Sequence, residues 1–151
     1  MAPIIDRFLG QHTYSLDNKG RVSIPAEFRD VLGERYDNRL VLMKNYDRCL
    51  LAYPIEEWQK LDDKIKMLPS SDPKVIKYLR TYYSSAKVCE LDGQGRVLVP
   101  PALKTYAGLA RDVFIIGLSN KMELWDLHTW NEVHPEEDGA ELQEAMAAFG
   151  L

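Results

Sequence analysis

One fourteen-residue pattern occurs twice in this chain, and any fold it adopts must accommodate both copies. Residues 16–29, Leu16-Asp17-Asn18-Lys19-Gly20-Arg21-Val22-Ser23-Ile24-Pro25-Ala26-Glu27-Phe28-Arg29, return 75 positions later as Leu91-Asp92-Gly93-Gln94-Gly95-Arg96-Val97-Leu98-Val99-Pro100-Pro101-Ala102-Leu103-Lys104. The offset still holds at Gly33 and Gly108. Further on, residues 40–43 parallel 113–116 and residues 50–53 parallel 122–125. Trp58 matches Trp130 at an offset of 72, so the second copy has a shorter connection. A chain of 151 residues is too short for two large domains. The repeat therefore predicts a single domain made of two copies: a first repeat over 8–68, a connecting helix within 69–86, a second repeat over 87–134 and an acidic helix or tail over 135–151.

Each copy reads as a β-hairpin, a short helix, two further strands and a closing helix, an α+β pattern. The hairpin arms are residues 13–16 and 21–24, on either side of a turn in which Asp17 and Asn18 can bond nearby backbone and Gly20 tolerates positive φ. Pro25 ends the second arm and suits the first turn of a helix, and Gly33 suits the left-handed residue that would close it. Pro100, Pro101 and Gly108 repeat that punctuation. Ile55, Trp58, Leu61, Ile65 and Leu68 form an apolar stripe at helical spacing, which predicts a core-facing closing helix behind Pro54. Asp72-Pro73 predicts the capped start of the connecting helix, with Val75, Ile76, Leu79, Tyr82 and Tyr83 available to pack. Leu142, Met146 and Phe149 are the apolar positions of the C-terminal segment.

Charge is divided unevenly along the chain. The formal net charge is −4, which by itself argues against a polyanionic partner. Residues 1–121 nonetheless hold all 19 Lys and Arg against 15 acids, a balance of +4, while residues 122–151 hold eight acids and no Lys or Arg, a balance of −8. The basic body keeps nucleic acid in play. Cys49 and Cys89 lack neighbours at metal-ligand spacing, so neither a zinc site nor a disulfide scaffold is expected. Asp6 and Arg7 interrupt the opening residues 1–9, and no signal peptide or membrane span is expected. His12, His128 and His134 form no metal-binding or catalytic motif, and no serine or cysteine has a nucleophile context. An enzyme, a cofactor and a small-molecule substrate are therefore not expected.

The remaining signal is an Asp and an Arg held four residues apart at the tip of both turns. Two readings are open. Asp17 can pair with Arg21, and Asp92 with Arg96, to brace the turns, with Gly20 and Gly95 supplying the turn conformation. Alternatively, a projecting guanidinium can bond guanine O6 and N7 in a major groove, with Lys19 on a phosphate and Arg29 and Lys104 as weaker backbone contacts.

The paired turns, each followed by an apolar strand and proline, resemble those of the MraZ family of bacterial transcriptional regulators, within the AbrB-like superfamily. The likeness also takes in Phe8-Leu9-Gly10, the Leu51-Ala52-Tyr53-Pro54 segment with Trp58, and Glu123-Leu124-Trp125 with Trp130. It implies a pseudo-twofold double-split β-barrel, AbrB-like, in which each repeat supplies half. It also implies a homo-oligomeric ring, often of eight or more subunits, that binds short guanine-containing direct repeats in double-stranded promoter DNA. The resemblance further implies that the target is the division and cell-wall gene cluster, usually repressed together with the regulator's own gene, and a location in the cytoplasm at the nucleoid. Arg21 and Arg96 match the motif arginines that face DNA, and Lys19 lies in the same turn. The second copy departs from the pattern at Gln94, opposite Lys19, which predicts a weaker contact there, and residues 1–7 make a longer extension than the family pattern. An oligomeric scaffold or antitoxin-like module, with the arginines only bracing turns, is the alternative.

Overall fold

A computed structural model describes residues 7–134 and 139–151. The expectations that fall on residues 1–6 and 135–138, the opening of the N-terminal extension and the start of the acidic segment, lie outside the described residues.

The first copy supplies β1 (Phe8–Ser15), β2 (Arg21–Ser23), α1 (Ala26–Arg35), β3 (Arg39–Lys44), β4 (Leu50–Pro54) and α2 (Ile55–Lys66). After α3 (Pro73–Thr81) the second copy repeats the order as β5 (Lys87–Glu90), β6 (Arg96–Leu98), α4 (Pro101–Ala107), β7 (Asp112–Ser119), β8 (Met122–Asp126) and α5 (Leu127–Val133), followed by α6 (Gly139–Ala147). The class is α+β, as the pattern predicts.

The arms of each predicted hairpin are not each other's sheet partners. β1 pairs with β7, β5 pairs with β3, and β2 pairs with β6, so every first and second arm crosses to the other copy. Only the turn itself stays local, with the Asp17 N–H donating to the Arg21 carbonyl at 2.9 Å and the Asp92 N–H to the Arg96 carbonyl at 2.8 Å. The reason lies in the carboxylates. Asp17 and Asp92 each accept two backbone N–H groups of their own turn, including that of the arginine, and the second arm leaves the turn to find its ladder elsewhere.

The result is a six-stranded antiparallel sheet, β1-β7-β8-β4-β3-β5, and a separate two-stranded ribbon, β2-β6. Both are symmetric about one pseudo-twofold axis. Val22 faces its own equivalent Val97 in the ribbon, and Leu51 faces its equivalent Glu123 where β4 meets β8. Between ribbon, sheet and the helices α1 and α4 lies the main core, which includes Phe8, Val22, Ile24, Phe28, Leu32, Leu40, Leu42, Val97, Val99, Leu103 and Ile115. A smaller cluster of Cys49, Phe114 and Trp125 sits beneath Trp130 and Leu127 of α5. Cys49 and Cys89 are both buried and free, and burial pushes the Cys49 thiol up to about 12, far from a reactive thiolate.

Two local expectations are corrected. Gly33 does not end α1; it lies inside the helix, which runs on to Arg35 and closes at an extended Tyr36. The left-handed cap appears only in the second copy, where Gly108 adopts φ 63°, because α1 carries one further turn before its sheet strand. The stripe on α2 is not core either. Ile55, Trp58, Leu61 and Ile65 are half-buried and Leu68 is 47% exposed. α2 lies on the outer face of β3 and β4, and its cover comes from Tyr83, whose ring is 5.5 Å from that of Trp58. Asp72 caps α3 as expected, accepting from the Lys74 N–H at 2.8 Å. Every residue of α6 is exposed. No described helix is long and apolar enough to cross a membrane.

These positions give opposite outcomes for two glycines. Gly33 has open space around it, so Gly33→Ala should raise stability by roughly 0.5–1 kcal/mol through helix propensity. At Gly117 an added Cβ would stand 2.5 Å from the Phe8 carbonyl carbon and 2.6 Å from the Leu9 nitrogen, so Gly117→Ala should cost about 1–3 kcal/mol. Urea denaturation of both variants checks the pair, and equal effects would contradict the placement of Gly33 within the helix.

Candidate nucleic-acid interface

The ribbon carries its side chains by strict alternation. Val22, Ile24, Val97 and Val99 point into the core and are at most 2% exposed, which turns Arg21, Ser23, Arg96 and Leu98 to the outside. The antiparallel register sets Arg21 opposite Leu98 and Ser23 opposite Arg96. Beyond the strand ends, the Ile24 N–H donates to the Gly95 carbonyl and the Val99 N–H to the Gly20 carbonyl, each at 2.9 Å. Each turn is thus bonded to the strand of the other copy. The two basic tips become one rigid unit.

Gly20 and Gly95 adopt φ values of 83° and 75°, which the turn requires and other residues rarely reach. Within each turn the carboxylate does three things at once. Asp17 accepts from the Lys19 N–H at 2.9 Å, the Arg21 N–H at 2.8 Å and the Arg21 Nε at 2.7 Å. Asp92 accepts from the Gln94 N–H at 2.8 Å, the Arg96 N–H at 3.0 Å and the Arg96 Nε at 2.9 Å. Across the axis, Arg96 Nη1 approaches Asp17 Oδ2 at 3.9 Å.

The bracing reading of the Asp–Arg pairs is therefore physically real, yet it occupies only one edge of each guanidinium. Arg21 is held through Nε, and its two terminal nitrogens have no partner among the described residues. Arg96 is held the same way, with only the longer approach of Nη1 to Asp17. A guanidinium anchored at Nε is aimed, and its remaining edge is free to make the paired bonds that a guanine or a phosphate accepts.

Lys19 and Gln94 are exposed at the turn tips. Arg29 reaches further than its sequence position suggests. Its side chain crosses to the other copy's turn, where a Cβ on Gly95 would collide with Arg29 Cδ at 2.3 Å. Lys104, its counterpart on α4, is half-buried, and none of its atoms comes within 4 Å of the corresponding Cβ position at Gly20. Of the five cations expected at the site, the structure gathers Lys19, Arg21, Arg96 and Arg29 around the ribbon. Ser23 and Leu98 were not singled out from sequence. Their signal was the change from a small polar to an apolar residue at equivalent positions on an outward-facing strand.

No described group of three or more His, Cys, Asp or Glu side chains is placed to hold a metal ion. Hydrogen bonds from the Arg21 backbone, the Arg21 side chain and the Lys19 backbone together hold the Asp17 carboxyl down at about 2, and the Arg96 and Gln94 backbone groups lower Asp92 likewise. Both folded values lie below the unfolded ones. The turns therefore contribute stability above about pH 4, and this is lost as the pH falls through the lowered folded values, about 2 in the case of Asp17. Asp17→Asn combined with Asp92→Asn should lower stability at neutral pH and flatten its decline between about pH 4 and 2. Thermal denaturation across that range checks it, and an unchanged acid limb would show that the carboxylates are not coupled to folding.

The comparisons with known proteins bear on the same features. The sequence pattern of the family described as "MraZ protein, putative antitoxin-like" matches twice, over residues 7–80 and 82–148, a spacing equal to that of the internal repeat. Transcriptional regulator MraZ of Acetivibrio thermocellus is 41% identical over 146 residues, covering 95% of this chain and 99% of that protein. Transcriptional regulator MraZ of Desulfitobacterium hafniense is 38% identical over the same length, with the same shares covered. The solution structure of PHS018 from Pyrococcus horikoshii shares 15% identity and a TM-score of 0.35, over 79% of this chain and 95% of that one, a likeness too slight to carry an argument. With the doubled turn, the crossed pairing and relatives matched almost end to end, this chain belongs to the MraZ family.

Proposed function

We propose that this chain regulates transcription by binding double-stranded DNA with the outward face of the β2–β6 ribbon and its two flanking turns. The observation that supports this most is the pair of neighbouring guanidiniums, each anchored through Nε to its own turn aspartate, with the terminal nitrogens of Arg21 unpartnered among the described residues and those of Arg96 engaged only by the 3.9 Å approach of Nη1 to Asp17. A two-stranded antiparallel ribbon is among the elements that fit a B-DNA major groove, where arginine bonds guanine in a bidentate manner. Lys19 and Arg29 supply charge for neighbouring phosphates. The family membership agrees, since the relatives are named as transcriptional regulators.

Four cations at the ribbon are few for a protein of net charge −4. Assembly answers this. A homo-oligomeric ring, of eight or more subunits on the family resemblance, multiplies the contacts by raising the effective concentration of each ribbon after the first has bound. A head-to-tail ring repeats one surface in one direction, which matches direct repeats in a promoter better than a palindrome. On the same reading the protein acts in the cytoplasm at the nucleoid and represses the division and cell-wall gene cluster, including its own gene. The acidic C-terminal segment then discourages binding away from the intended sites. A protein-binding scaffold or antitoxin-like module is the second reading, favoured by the bracing bonds of both arginines and by the family's description.

The test is binding to duplex DNA from upstream of the chain's own gene across a salt series. Affinity should fall steeply with salt, as counterion release requires. Arg21→Ala and Arg96→Ala should each weaken binding about tenfold or more, the scale of one bidentate guanine contact, with Arg21 the larger because Lys19 accompanies it. A flat salt response, or folded arginine variants that bind unchanged, would move the assignment to the scaffold.

A further inference from the structure

The two halves of the ribbon match in backbone but not in outward side chains. Where the first copy has Ser23 the second has Leu98, and the register places Leu98 opposite Arg21 and Ser23 opposite Arg96. Leu98 is 56% exposed, although its neighbours Val97 and Val99 are buried. Its Cδ1 lies over the first turn, 3.8 Å from where a Cβ on Gly20 would stand. At the second turn, beside the shorter Ser23, the space over Gly95 is taken instead by Cδ and the guanidinium of Arg29. One half of the ribbon therefore presents a guanidinium beside a branched apolar side chain, and the other a guanidinium beside a hydroxyl and a second cation.

This asymmetry has a chemical complement in DNA. The apolar feature on the floor of the major groove is the thymine 5-methyl group, and aliphatic side chains recognise it by contact. Residues directly opposite in an antiparallel pair have Cβ atoms about 4.5–5.5 Å apart, and successive bases of one strand are spaced by about 3.4 Å. Side chains so placed address neighbouring base pairs. A serine in the same position donates to or accepts from any base and makes no such selection.

We infer that Leu98 is a specificity-determining residue that contacts the 5-methyl group of a thymine neighbouring the guanine bound by Arg21, while the Ser23–Arg96 half tolerates other bases. This rests on the DNA-binding reading of the ribbon. It makes the two halves unequal readers, with the apolar selection confined to the half that also holds Lys19.

The experiment replaces each thymine of the upstream duplex in turn by deoxyuridine, which removes only the methyl group, and measures the affinity of the full-length protein. For the wild type, replacement at one thymine beside a guanine should weaken binding about fourfold, the effect of withdrawing one methyl group from apolar contact. Leu98→Ser should bind the unmodified duplex about as weakly and show no response to deoxyuridine at that position, with an unchanged melting temperature. If the wild type binds in an Arg21-dependent way while Leu98→Ser keeps the full deoxyuridine response, the thymine assignment is wrong and the DNA reading stands. If Leu98→Ser alters the subunit number and leaves the response intact, Leu98 is an interface residue and the inference is overturned. If the wild type does not bind, or Arg21→Ala binds as well as it does, the DNA reading and this inference fall together.

Discussion

Val22 and Val97 face each other across the pseudo-twofold axis, both fully buried, and the pairing of β2 with β6 around them is what the molecule depends on. Neither copy closes its own hairpin. Each second arm has three paired residues, too few to stand alone in water, and each finds its ladder only in the other copy. The same exchange joins β1 to β7 and β5 to β3. The main core is therefore shared, and half of the sequence would leave unpaired strand edges and exposed valines, at a cost of roughly 1.5–3 kcal/mol for each buried side chain lost.

The electrostatics of the ribbon follow from that exchange. Crossing chains bring two basic turns together, which would set like charges close to each other without Asp17 and Asp92. Each carboxylate holds the backbone of its turn and one edge of its arginine, and Asp17 also lies near Arg96. The aspartates lower the local positive charge and so weaken a purely electrostatic attraction for DNA. In exchange they fix the direction of the guanidiniums, so that less rotamer freedom is lost when a partner arrives. Aiming matters more than total charge for a protein whose overall balance is negative.

Pseudo-symmetry of the backbone does not extend to chemistry. The axis through Val22 and Val97 relates Arg21 to Arg96, but also Lys19 to Gln94, Ser23 to Leu98 and Arg29 to Lys104. Arg29 reaches over Gly95, whereas the equivalent place over Gly20 is taken by Leu98 and not by Lys104. A gene-internal repeat of this kind frees each half to diverge, which a dimer of identical subunits cannot do.

The features that sequence alone determined were those whose causes lie within a few residues. The Asp, Gly and Arg of each turn, the helix starts behind Pro25 and Pro100, the cap at Asp72 and the left-handed Gly108 depend on local hydrogen bonds and on the φ preferences of proline and glycine, and the repeat itself is a property of the string. Tertiary structure alone decided which strand each arm joins, because a turn signature specifies the turn and says nothing of the ladder beyond it. It also decided that α1 runs through Gly33, that α2 is only half-buried on the outside of β3 and β4, and that Arg29 and Leu98 stand over turns belonging to the opposite copy. Those outcomes depend on partners outside the local pattern, such as Gly95 for Arg29, Gly20 for Leu98 and Tyr83 for Trp58, and helical or alternating periodicity carries no record of them.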